Sequence, residues 1–325
     1  MDAPDQFTGR LADISRFHDM ILGTVGTYIV GNQNLLELIF IALLSEGHIL
    51  IEGVPGTAKT TIAKAVALAT NCMFDRIQGA VDLQPADLIG VRIYDQSTRN
   101  FVLRPGPVFT NILLADEINR INPKSQSAFI EAMSEQQATI DGETCALPRP
   151  FLVIATQNPY ELQGTFPLIE AQRDRFMFGL QSGHLGPEDE LDLVRRASSG
   201  NLNWNDFSDS IDLDITRDDL LEMIAAVSTV RIGDPVLSYI RDIVIATREN
   251  GNIDLGASSR ASIAFVRGAR AKAAIAKRPY VLPDDVKALA NEILSHRIIL
   301  TREAEVEGLE PADIVKEILE TIEVQ

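Results

Sequence analysis

A mostly parallel α/β sheet followed by an all-α domain is the architecture this sequence predicts, on three observations. Up to about residue 185, short apolar runs alternate with helical patterns, the alternation that gives a parallel sheet covered on both faces. A glycine-rich turn from Gly53 to Gly56 separates the first of those runs from a helical stretch, which is the opening of an α/β unit. Beyond Gly186 the strand signals stop and only helical periodicity continues.

Taken in order, residues 7–27 place Leu11, Ile14, Phe17, Ile21 and Val25 at helical spacing, and residues 32–45 repeat the signal. The run from Leu35 to Leu44 contains Glu37 and is shorter than the ~18 residues that suggest a membrane span, so it reads as a buried helix. A strand at residues 48–52, the glycine turn and a helix at 60–69 follow. Further strands are expected at 73–78, 111–115, 151–157 and 176–180, with a helix at 124–135. Two inserted hairpins break the alternation. Residues 91–94 and 101–103 flank a polar turn, and residues 138–140 and 145–147 flank Asp141-Gly142-Glu143-Thr144, whose Asp-Gly pair favours a tight reverse turn. Then come a helix at 187–198, a polar connection at 199–214, a helix at 217–227, and four or five helical patterns from Pro235 to Val324. The expected organisation is an N-terminal helix (1–30), an α/β core (31–185), a helical connecting insert (186–232) and a helical domain (233–325).

The 325 residues carry 46 acidic against 29 basic side chains, a net charge of −17, with 46% hydrophobic residues. That apolar share argues against disorder. The acidity argues against sequence-independent nucleic-acid binding, which rests on neutralising phosphates with Lys and Arg. Any phosphate ligand must therefore be held by a local device. Cys72 and Cys145 lie far apart without metal-ligand spacing, and a reduced pair is expected. The opening residues lack the basic and apolar regions of a secretory signal, so a cytoplasmic protein is expected. His18, His48, His184 and His296 are too scattered for a metal site, and no Ser-His-Asp arrangement is suggested.

Three motifs carry chemistry. Gly53-Val54-Pro55-Gly56-Thr57-Ala58-Lys59-Thr60 has the spacing of a phosphate-binding loop, with Ala58 in place of its second fixed glycine and Thr61 just beyond. Such a loop wraps backbone N–H groups around phosphate with a helix N-terminus behind them, so binding does not depend on overall charge. Ala58 keeps its N–H and is compatible with the start of a helix. Lys59 would neutralise β/γ oxygens and Thr60 would ligate Mg²⁺. The apolar run Ile112 to Ala115 ends in Asp116-Glu117. A parallel sheet delivers that pair beside the phosphate loop, where Asp116 would hold the Mg²⁺ shell and Glu117 would orient and deprotonate water. A second run, Leu152 to Ala155, ends in Thr156-Gln157-Asn158-Pro159, where the Asn158 amide can bond both γ-phosphate and the attacking water.

The runs GVPGTAKT, LLADEINR, NPKSQSAFIEAMSE and ATQNPYELQGTFPLIEAQRDRFMF, with GASSRASIAFVRGARAKA further on, resemble the MoxR group of AAA+ ATPases over roughly residues 30 to 300. The resemblance implies an αβα nucleotide-binding core with a five-stranded sheet, a helical lid, ATP and Mg²⁺ as ligands, and a ring, expected to be hexameric. An alanine in the phosphate loop is usual there. By the same resemblance Arg175 matches the arginine finger that reaches a neighbouring subunit's nucleotide, with Arg173 as the other basic candidate at that turn. Arg260 matches the sensor 2 arginine, although Ser259 replaces the proline expected before it. The hairpins match the helix-2 insert and the pre-sensor 1 hairpin, which would face the pore or one surface of the ring.

The function so implied is a chaperone-like remodeller, working with a von Willebrand factor A domain protein on a client. The alternative is a DNA-handling or restriction-associated motor, which Arg92, Arg99 and Arg104 on the first hairpin favour and the acidic total opposes. A nucleotide switch with slow turnover is a third reading. After Leu300, eight acidic side chains stand against Arg302 and Lys316, a solvated face or a surface for a basic partner.

Overall fold

A computed structural model describes residues 4–53, 58–159, 164–200, 202–211 and 215–324. Helices α1 (Pro4–Tyr28) and α2 (Gln33–Leu44) precede β1 (Ile49–Gly53) and α3 (Lys59–Ala69). Strand β2 (Phe74–Gln78) and the short α4 (Pro85–Ile89) lead into the hairpin of β3 (Gly90–Asp95) and β4 (Asn100–Pro105). Next come β5 (Ile112–Asp116), α5 (Pro123–Glu135), the hairpin of β6 (Gln137–Ile140) and β7 (Glu143–Ala146), β8 (Leu152–Gln157), α6 (Glu170–Arg173) and β9 (Phe178–Ser182). The helical part comprises α7 (Pro187–Ser198), α8 (Trp204–Ser210), α9 (Arg217–Ser228), α10 (Asp234–Glu249), a strand β10 (Ile253–Leu255), α11 (Ser259–Ile275), α12 (Pro283–Lys287) and α13 (Ala290–Leu294). It ends with β11 (Ile299–Leu300), α14 (Arg302–Val306) and α15 (Pro311–Thr321).

The five-stranded sheet runs β2-β5-β8-β1-β9, and every neighbouring pair is parallel. Strand β1 sits between β8 and β9, so the loop after it emerges where successive connections leave toward opposite sides, the place where open α/β sheets bind ligands. The pleat sorts the core. Ile49, Ile51, Ile112, Leu114, Leu152 and Ile154 join one buried cluster with α1, α2, α3 and the helical part. Leu50, Leu113, Ala115, Val153 and Ala155 join a second with Phe129, Ile130 and Met133 of α5. Burial on both faces explains why these strands read as continuous apolar runs. Along α1, Leu11, Ile14, Phe17, Ile21 and Val25 are all buried, and the helix contacts α2, α3, α9 and α11.

Several expectations shift. The last sheet strand begins at Phe178 rather than Phe176, because the N–H groups of Met177 and Phe178 both donate to His48 O and the chain becomes regular only after that kink. The second hairpin turns on Asp141 and Gly142 alone, both at positive φ (50° and 83°), as a two-residue hairpin turn of matching twist requires. The expected polar connection at 199–214 contains α8: Asn203 accepts from the Asn205 N–H, and Trp204 and Phe207 pack on Tyr28. The C-terminal part is not wholly helical, since β10 and β11 pair as an antiparallel ribbon too short for a periodic signal.

The imidazole of His48, at the amino end of β1, is fully enclosed. Its Nδ1 accepts from the Val153 N–H (3.1 Å) and its Nε2 faces Met133 O at 3.0 Å. A peptide N–H can only donate and a carbonyl can only accept, so the ring is neutral with its proton on Nε2. Burial lowers its pKa from 6.5 to about 4. The unfolded chain therefore takes up this proton first: the contribution is whole above pH 6.5 and is lost as pH falls toward 4, amounting to on the order of 3 kcal/mol. We expect nitrogen-edited NMR to show His48 still neutral and Nε2-protonated at pH 5.5 in the folded protein. A native-state midpoint above 6 would refute the assignment.

Candidate active site

The carboxyl ends of β1, β2, β5 and β8 and the start of α3 enclose a cleft of about 360 Å³ lined by Lys59, Thr60, Thr61, Arg76, Asp116, Glu117 and their neighbours. Gly53, Ala58 and Asn158 also line it, whereas Val54, Pro55, Gly56 and Thr57 lie outside the described residues. Ala58 stands immediately before α3 at φ 58° and ψ 13°. That is the left-handed region, which costs a residue with a Cβ roughly 1–2 kcal/mol and glycine nothing comparable. The alanine is thus strained at this position, where the sequence reading took it to be compatible. Burial lowers the pKa of Lys59 while the nearby charge of Asp116 raises it.

The acid pair is held by more than its own strand. Thr156 Oγ1 donates to Asp116 Oδ1 (3.2 Å) and accepts from the Glu117 N–H (3.0 Å), so one hydroxyl on β8 aligns both residues at the end of β5. On the other side Arg76 Nε donates to Asp116 Oδ2 at 2.7 Å, and Gln78 Nε2 donates to Glu117 Oε2 at 3.0 Å. Arg120 also reaches Glu117, at 3.2 Å. Glu117 adopts φ 53° and ψ 51°, a conformation that non-glycine residues occupy mainly where their surroundings impose it. Gly79 makes room for it, since a Cβ on Gly79 would collide with the Glu117 carbonyl.

Thr156 is expected from the sequence only as a member of the third motif, without a role, and Arg76 and Gln78 are not expected at all. Two of them depend on sheet order: β2 pairs in register with β5 and carries Arg76 opposite Leu114 and Gln78 opposite Asp116. Side chains two apart on a strand share a face, so both reach the carboxyl end of β5.

The two arginine candidates separate. Arg173 turns to the strand ends, 3.7 Å from the carboxylate of Glu52, which also accepts from Gln157 and, at 2.7 Å, from Gln181. Arg175 donates from Nη1 to Ala171 O at 2.9 Å, and among the described residues its buried Nε has no acceptor, as is also true of Arg173 Nε. It lines a second cavity of about 380 Å³ with Arg260, Arg267, Glu46, His48 and the end of α5. That cavity is at the amino edge, because His48 precedes β1 and pairs with Met177. The phosphate cleft is at the carboxyl edge, a strand length of roughly 13 Å or more away. Arg260 is therefore brought to Arg175 and not to the cleft of its own chain.

The cleft suits a nucleotide polyphosphate. Lys59 offers a cation at the start of α3, and Arg76 offers a second from β2. Thr60 and Asp116 offer oxygen donors, the set a hard divalent ion takes. Among the described residues no group of three or more His, Cys, Asp or Glu could hold a metal by itself.

Sheet order, cleft and acid pair together define a nucleoside-triphosphatase core. Residues 48–178 match the ATPase family associated with various cellular activities, and residues 245–318 match the AAA lid domain. The chain is 42% identical to the uncharacterised protein YeaC of Bacillus subtilis, over 92% of each chain. It is 38% identical to Chaperone MoxR1 of Mycobacterium tuberculosis, over 90% of this chain and 78% of that one. A crystal structure of a proposed ATPase from Cytophaga hutchinsonii superposes with a TM-score of 0.89 at 40% identity, covering 98% of this chain and 97% of the other. The chain belongs to the MoxR family of AAA+ ATPases, and its activity is ATP hydrolysis.

We expect Gly79→Ala to displace Glu117 from its turn, destabilising the protein by about 1–3 kcal/mol through overpacking and lowering kcat at least about tenfold. Urea unfolding and steady-state ATPase assays check both. An unchanged kcat would mean that the Glu117 geometry does not matter to turnover.

Proposed function

We propose that the protein is a ring-forming, Mg²⁺-dependent ATPase that remodels a partner protein in the cytoplasm, with each cleft completed by the amino edge of the next copy. The observation that carries this reading is the placement of Arg175 and Arg260 in one cavity at the edge of the sheet opposite the phosphate cleft. Neither can serve its own chain's nucleotide from there, and among the described residues the Nε of Arg175, like that of Arg173, has no acceptor. A second copy presenting bound phosphate would meet the guanidinium groups of Arg175 and Arg260 in that cavity. In that arrangement Lys59 and the phosphate loop bind the polyphosphate, and Thr60 and Asp116 would hold the metal, which supplies charge neutralisation at the β/γ oxygens. Glu117 orients water and takes its proton, Asn158 contacts the γ-phosphate and the water, and Arg175 meets the charge that develops in transfer.

The chaperone-like part of the proposal draws on the 38% identity to a protein named Chaperone MoxR1. A von Willebrand factor A domain protein as partner, and a ring of six, are the family expectations that go with it. Both cysteines are unpaired, as a reducing compartment keeps them, and among the described residues no helix is long and apolar enough to cross a membrane. The DNA-motor alternative is weakened by the pairing of Arg92 with Glu143 of the second hairpin.

Two expected outcomes test the reading. Glu117→Gln should bind ATP normally while losing about 10²–10⁴-fold in kcat, the range of a lost general base. Equilibrium binding and single-turnover hydrolysis measure the two separately. Arg175→Ala and Lys59→Ala should each be inactive, yet mixed subunits should regain hydrolysis, because the Arg175→Ala chain keeps its cleft and the Lys59→Ala chain keeps its arginine. A mixture as inactive as its parts removes the shared-site proposal.

A further inference from the structure

Arg297, just beyond α13, has a side chain only 2% exposed, and it occupies the seam between sheet and helical part. All its donors are used. Nε donates to Asp174 Oδ1 at 3.0 Å, Nη1 to Met177 O at 3.1 Å and to Ile293 O, and Nη2 to the carbonyls of Phe176 and Asp174. Three of these acceptors are main-chain carbonyls of residues 174, 176 and 177, which bracket Arg175 on both sides. A guanidinium has five N–H groups, so this one is saturated and its orientation is fixed. Burial pushes its pKa down to about 10, against the pull of the Asp174 charge, so the guanidinium keeps its proton at neutral pH.

The Asp174 carboxylate continues the chain of contacts into the helical part. Ser258 Oγ lies 3.0 and 2.8 Å from its two oxygens, and Arg260 Nη1 is 3.4 Å from Oδ2. The same Ser258 hydroxyl caps α11 by accepting the Arg260 N–H at 3.1 Å. One acidic side chain from the turn between α6 and β9 thus faces the side chain of Arg260 and the residue that fixes its backbone, while Arg297 fixes the backbone around Arg175. If adhesion were all the seam required, well-packed apolar residues would serve as well or better, because burying an ion pair costs much of what it returns. Fixed geometry is what the charged arrangement adds.

We propose that Asp174 and Arg297 are positioning residues for ATP hydrolysis: they lock Arg175 and Arg260, drawn from two different parts of the chain, into one rigid pair that is presented to phosphates bound by another copy. The inference rests on the shared-site reading above and adds to it the device that sets the geometry. Movement of the helical part relative to the sheet would then be felt at both arginines together.

The test uses the full-length chain. Asp174→Asn should keep its ATP affinity within about twofold while kcat falls roughly 10- to 100-fold, the cost of misplacing a group by about an ångström. The milder Ser258→Ala should fall in the same direction by less. The decisive measurement mixes Asp174→Asn with Lys59→Ala in equal amounts: hydrolysis should return to as much as about a quarter of wild type, the share of contacts that join an intact cleft to an intact arginine pair in a random assembly. A merely structural lesion would not complement, since a misfolded Asp174→Asn chain could not use its own cleft. Wild-type kcat in Asp174→Asn overturns the proposal. So does failure of this mixture where Arg175→Ala with Lys59→Ala succeeds, and there the clamp alone is at fault. If both mixtures fail, the shared-site reading is wrong and the clamp falls with it.

Discussion

All five strands of the central sheet run the same way, and that single constraint distributes the chemistry of this molecule. Parallel strands put every carboxyl end on one edge, so the turns after β1, β5 and β8 and the last residues of β2 are neighbours although far apart in the chain. The opposite edge collects the amino ends, and with them the segment that carries Arg175. Hydrogen bonds across the ladder fix the register, and the register decides which side chains meet. Thr156 can align Asp116 and Glu117 because β8 lies directly beside β5. Arg76 and Gln78 can reach the same two carboxylates because β2 lies on the other side.

Much of this was legible in the sequence because it depends on local pattern. Buried strands announce themselves as apolar runs, the phosphate loop as glycine and lysine spacing, and the hairpin turn as Asp-Gly. The acid pair and Asn158 could be placed in the cleft because each ends an apolar strand. What stayed hidden depends on pairing across the sheet or between its two ends. Nothing in the local sequence says that β2 will neighbour β5, and it is that pairing which brings Arg76 and Gln78 to the acid pair. The strain at Ala58 and Glu117 was equally invisible, since a left-handed dihedral leaves no mark on a residue that is not glycine. Nor could the sequence put Arg260 beside Arg175, because 85 residues separate them and only the tertiary fold closes that distance.

The seam between the sheet and the helical part follows a different rule from the core. Elsewhere the two layers meet through apolar side chains such as Met177, Phe178, Phe265 and Leu289, which join one continuous cluster. Around Asp174 the contact becomes polar, and it does so beside the arginine cavity. Apolar contact is tolerant of small slides, whereas a saturated guanidinium is not. The molecule therefore combines a compliant interface with one stiff point, and the stiff point adjoins Arg175 and Arg260.

The separation of cleft and arginine cavity onto opposite edges also has a consequence for symmetry. A contact in which one edge of a copy fills the other edge of the next is heterologous, and no two-fold axis can satisfy it. Two copies joined this way leave one cleft unfilled and one arginine pair idle, and adding copies in a row only moves those vacancies to the ends. If each cleft is completed by the next copy as proposed, closure of the row is the arrangement in which every copy both gives and receives.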